Sequence, residues 1–168
     1  MLFFGVLANA LLERRTAVDR TLDELAHEMF RTFARFEYAL KVCGFHKGDG
    51  RAEPNWRVFA ETVSNNFANS KNDNFREAVS YILNNPPKKQ IIKDGLLDWK
   101  DSIPQTDLES DLVLQYVRRV RNNLHHGGKF NGRWFEPDRS HKILDCSLAI
   151  LRMCLDLSPS MRQAYDSK

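Results

Sequence analysis

Apolar positions recur along this chain at intervals of three and four residues, the pattern of amphipathic helices packed side by side. In TLDELAHEMFRTFARFEYALKVCGF, residues Leu22, Leu25, Met29, Phe33, Phe36 and Leu40 share one stripe, and Gly44 closes the helix. Thr21-Leu22-Asp23-Glu24 opens it as a capping box, in which the threonine and glutamate side chains satisfy each other's backbone amides. Phe36 and Tyr38 are expected to serve packing rather than base stacking. The loop HKGDGRAEPN follows, and Pro54 is expected in the first turn of a helix through WRVFAETVSNNF. The next helix, NDNFREAVSYILNN, is capped by Asn72 or Asp73 and stopped by Pro86-Pro87, which cannot continue it.

KKQIIKDGLLDWKDS fits a strand-like excursion or a helical turn and reads as irregular, with no convincing strand pair or hairpin turn in the chain. Thr106-Asp107-Leu108-Glu109 then reads as a second capping box. The helix it opens sets Leu112, Val113, Tyr116, Val117, Val120 and Leu124 on one side. Gln115, Arg118, Arg119, Arg121, Asn122, His125 and His126 take the other side, away from the core. Gly127-Gly128 ends this helix, NGRWFEPD connects, and HKILDCSLAILRMCLDL closes the chain before a short tail. With a short amino-terminal helix, the expectation is an all-α, up-and-down bundle of about five or six helices.

The 168 residues fit one domain, 1–168, able to bury a core without disulfides or metal. A formal charge of +3, from 25 basic and 22 acidic residues, leaves any nucleic-acid affinity to a local patch. Cys43, Cys146 and Cys154 form no CxxC pair and suit buried thiols in a reduced cytosol. MLFFGVLANALLERR has no basic residue before its short apolar run, so a secretory leader is rejected. Nothing approaches the roughly 20 apolar residues of a membrane span. A cytoplasmic protein without a membrane partner is expected.

The candidate chemistry lies in RNNLHHGGKF, from Arg121 to Phe130. Imidazoles, which titrate near neutrality, can move protons, and a guanidinium fits phosphate oxygens. The same residues also make an ordinary helix stop, with cationic side chains in the last turn and glycine after it. Adjacent histidines on a helix point about 100° apart and no HxxxH or HExxH pattern accompanies them, so neither metal nor cofactor is expected. His27, His46 and His141 stand alone. Glu37, mid-helix among apolar residues, either faces water at a boundary or meets an arginine of the motif helix.

An arginine, a polar residue directly after it, and a histidine a few residues on resemble the signature of the HEPN superfamily. Arg121, Asn122 and His126 match it, with four residues between arginine and histidine; His125 would leave only three. The resemblance implies a helical bundle that pairs into a homodimer and joins two motifs in one composite site. It further implies a metal-independent endoribonuclease in a toxin–antitoxin or antiphage setting, with RNA as substrate and an antitoxin or defence partner. In that chemistry His126 transfers protons, Arg121 holds charge on the phosphorane, and Asn122 orients the histidine, the arginine or the phosphate by hydrogen bonding. Arg118, Arg119, His125, Lys129 and Arg133 would support or steer the RNA, with Trp134 or Phe135 available for stacking. Against this stand solvated or acid-paired roles for Arg118 and Arg119 and bundle closure by Trp134-Phe135. Two rival readings remain: a non-catalytic module that binds RNA or protein, and a dimerisation domain in which the motif is only a helix end.

Overall fold

A computed structural model describes residues 20–127 and 136–167. The expected amino-terminal helix, Gly128, Lys129, Arg133, Trp134 and Phe135 lie outside the described residues. The chain is mostly helical, with six helices and one two-stranded sheet among the described residues. The elements are α1 (Leu22–Val42), α2 (Trp56–Ala68), α3 (Asp73–Asn84), β1 (Lys89–Lys93), β2 (Leu96–Lys100), α4 (Glu109–His125), α5 (Pro137–Asp156) and α6 (Pro159–Asp166).

The long first helix forms as its pattern predicts. Thr21 Oγ1 accepts from the Glu24 amide at 3.2 Å while the Glu24 carboxylate accepts from the Thr21 amide at 2.8 Å. Leu25, Met29, Phe33, Phe36 and Leu40 are buried and Leu22 packs at the margin. Gly44 leaves the helix with φ +86°, which glycine adopts without steric cost. Tyr38 departs from expectation: it is 55% exposed, because it falls off the buried stripe. α1 packs on α5 and α6, α3 on α5, and α2 on α4, around one core that draws on all six helices. At its centre Trp56 stacks on both Phe33 and Phe36 with ring centroids 5.2 Å apart in each case.

Four other expectations change. Pro54 lies before the first turn of α2, in an isolated bridge to His46, and Asn55 caps the helix by accepting from the Val58 amide. The second capping box does not form, and Leu108 occupies the cap position without a side-chain bond. Arg57 of α2 draws its residues away, donating to the Thr106 hydroxyl at 2.6 Å and to Asp107 at 3.1 Å. α5 begins at Pro137, whose fixed φ suits a first helical turn, rather than after NGRWFEPD. The carboxy-terminal tail is a helix, α6, anchored by the fully buried Met161.

The largest correction is the hairpin. β1 and β2 pair antiparallel from Lys89↔Lys100 to Lys93↔Leu96 across the turn Asp94-Gly95. Both turn residues have positive φ, +50° and +77°, the backbone of a two-residue turn whose twist matches the strands. The mixture of lysines and aliphatics concealed a strand pair that an Asp-Gly step between apolar pairs encodes. Two residues of α4 hold the base of this hairpin. Arg119 donates to the Pro87 carbonyl at 3.0 Å and the Ser102 carbonyl at 2.6 Å, and Asn123 to the Lys88 carbonyl at 2.9 Å.

Candidate functional site

The end of α4 presents the motif between α1 on one side and the hairpin on the other. Asn122, His125 and His126 are exposed and Arg121 is partly buried, so these groups lie outside the core as their helical phase predicts. His126 caps the helix, its amide donating to the Asn122 carbonyl at 2.9 Å, and Gly127 follows with φ +73°.

On the α1 side, Arg121 is held by three groups. It donates to Glu37 Oε2 at 3.4 Å and to Asn122 Oδ1 at 2.9 Å, and its guanidinium lies 4.5 Å from the Phe33 ring centroid. This pairing chooses between the two open readings of Glu37 in favour of contact with the motif helix. One turn on, the His125 ring lies 5.4 Å from Phe30. Partial desolvation of this otherwise exposed ring, and then the neighbouring charges of Arg121 and His126, push the His125 imidazole below its ordinary range, because each disfavours the protonated form.

On the hairpin side, His126 lines a groove of about 340 Å³ with Asn122, Arg118, Arg119, Lys89 and Gln90. No carboxylate is among its described lining residues. Arg118 reaches this groove with its guanidinium 5.6 Å from the Trp56 centroid, and burial against the protein lowers its pKa while Glu37 and Asp111 oppose that shift. Arg119 is partly buried and donates to the two carbonyls at the hairpin base rather than to an acid. These bonds tie α4 to the segments that flank the hairpin on both sides, Pro87 before β1 and Ser102 after β2.

The predicted residues therefore divide. Arg121 and His125 face α1, whereas His126, Arg118 and Arg119 face the hairpin. Asn122 belongs to both, since it bonds Arg121 and lines the groove. Lys129 and Arg133 lie outside the described residues. Lys89 and Gln90 were missed, and only recognition of the hairpin could have found them. Among the described residues no group of three His, Cys, Asp or Glu side chains gathers as a metal site. His46 accepts from the Gly48 amide at 3.1 Å, and His141 donates to the Arg20 carbonyl at 3.0 Å. No helix of the described residues is long and apolar enough to cross a membrane.

Comparison with protein-family models, curated proteins and solved structures finds no match for this chain.

Proposed function

We propose that this protein is a metal-independent endoribonuclease of HEPN type, acting as a homodimer in a toxin–antitoxin or antiphage setting. The observation that carries the reading is the opening of His126 into a groove bearing Lys89 and Arg118 and no described carboxylate. Such a groove attracts a phosphate backbone and places an imidazole beside it. The 2′-hydroxyl attacks the adjacent phosphorus as a base removes its proton, and the P–O5′ bond breaks as an acid protonates the departing oxygen. The products are a 2′,3′-cyclic phosphate and a 5′-hydroxyl, and DNA lacks the nucleophile. His126 transfers a proton, and Asn122, which lines the groove and accepts from Arg121, links it to the arginine, whose charge opposes that of the phosphorane from the α1 side of the motif.

Proton removal and donation need two groups, and His125 of the same subunit lies on the α1 side. A second copy supplies the other imidazole. The exposed α1 surface suits that contact, since Phe30, which packs on the His125 ring, and Tyr38 and Val42 further along the helix are each more than half exposed. The commitment of Arg119 to the hairpin favours, as a second reading, a module that binds RNA or protein without cleaving it.

The test is incubation of wild type and His126→Ala with end-labelled RNA and matched DNA in EDTA. RNA cut by wild type alone, leaving cyclic phosphates, supports the nuclease. RNA retained by both proteins without cleavage replaces it with the binding module.

A further inference from the structure

A second recess lies across the base of the hairpin from the His126 groove. It encloses about 240 Å³, with Val120 and Leu124 of α4 and Ile143 and Leu144 of α5 as its apolar lining. Trp99 of β2 forms a half-buried aromatic wall, and Lys88 and Arg139 stand among the lining residues. We infer that this recess receives one nucleobase of a single-stranded RNA whose backbone runs through the His126 groove. The inference rests on the RNA reading above and adds a base subsite to it.

Contiguity is the first support. Asn123 lines both recess and groove, and its amide bonds the Lys88 carbonyl. Lys88 lines the recess and the next residue, Lys89, lines the groove, so the two are separated there by a single step of backbone at the start of β1. A strand lying in the groove needs to cross only that step to put a base on the other side.

Size and chemistry agree. The volume is below the roughly 300–1,000 Å³ of sites for drug-sized ligands and suits a single planar group. An indole wall over an aliphatic floor matches the way proteins hold unpaired bases, by stacking on a π-face rather than by reading an edge. The cations are placed for the phosphate that accompanies the base. Lys88 pairs at 3.6 Å with Asp101, which is 83% exposed, an ion pair weak enough for a phosphate to displace. Arg139 donates to the Pro86 carbonyl at 3.2 Å and pairs at 3.6 Å with Glu136, the one carboxylate among the described residues lining the recess.

The experiment uses the full chain carrying His126→Ala, so that RNA survives. It is titrated with a ten-nucleotide single-stranded RNA and with an abasic ribose-phosphate chain of equal length, while the methyl signals of Val120, Leu124, Ile143 and Leu144 are followed. Intact RNA is expected to move those methyls; the abasic chain is expected to move only the Lys89 and Asn122 amides. Trp99→Ala should weaken intact RNA by about fivefold or more, leave the abasic chain unchanged, and be largely rescued by Trp99→Phe. Equal affinity for the two chains, or Trp99→Ala without effect on intact RNA, overturns the base subsite and leaves the groove reading standing. Binding of neither chain overturns both.

Discussion

The Glu37 carboxylate of α1 reaches the Arg121 guanidinium of α4 at 3.4 Å, across 84 positions of sequence. Arg121 thereby sits between an acid on one helix and an amide on its own, over the Phe33 ring. Glu37→Gln keeps the shape and removes the charge. RNA cleavage is expected to fall about tenfold, equivalent to ~1.4 kcal/mol in barrier height. Both side chains are partly exposed, at 25% and 30%, so unfolding free energy should change by less than about 1 kcal/mol. Cleavage equal to wild type, in a protein that Arg121→Ala inactivates, would reduce Glu37 to a surface partner.

His125 provides a pH marker for the same seam. Its pKa lies below the unperturbed value of about 6.5, so the folded protein binds this proton less readily than the unfolded chain. The resulting stability is present above the unfolded pKa and is lost as pH falls through the folded one. Proton NMR titration of the His125 ring should give a midpoint below that of an unfolded control. Arg121→Ala should raise the midpoint only in part, since burial is the larger cause. A midpoint at or above the unfolded control would contradict the packing against Phe30.

Arg119 is expected to act on the hairpin rather than on phosphate. Arg119→Ala removes its bonds to Pro87 and Ser102, and each charged hydrogen bond of this kind contributes about 1.5–3 kcal/mol. Amide hydrogen exchange in β1 and β2 should quicken by about tenfold or more, while amides in the middle of α1 keep their protection. Uniform loss of protection would mean that the hairpin and the helices open together.

The thiols separate by environment. Burial pushes Cys146 up to about 11 and Cys154 up to about 12, which keeps both protonated and unreactive at neutral pH. Cys43 is only partly buried. Native protein at pH 8 should therefore show one thiol accessible to a disulfide reagent, and denatured protein all three. Rapid reaction of all three in the native state would contradict the α5 core.

Phe36 tests the centre of that core. It is fully buried, stacked on Trp56 and set edge-on to Phe59 at 5.5 Å. Phe36→Ala should cost about 3–5 kcal/mol in denaturant unfolding, through lost transfer energy and the cavity left behind. A cost under about 1 kcal/mol would mean that the three rings do not pack as described.

Local chemistry determined much of this protein directly from its sequence. The Thr21–Glu24 box, the α1 stripe, the Asn72 cap, the proline stop after α3 and the outward phase of Arg121, Asn122 and His126 all depend on residues within a turn or two of one another. The Asp94-Gly95 turn was equally local, and went unread because its strands carry no clean alternation. Tertiary structure alone decided the rest. Arg57 dismantled the second capping box from another helix, Glu37 found Arg121 rather than water, and Arg119, at the groove's edge, found the carbonyls of the hairpin base. Each of those outcomes is a long side chain choosing among partners distant in sequence. Periodicity records which face a residue occupies, but not which donor or acceptor the packed neighbours will bring within reach.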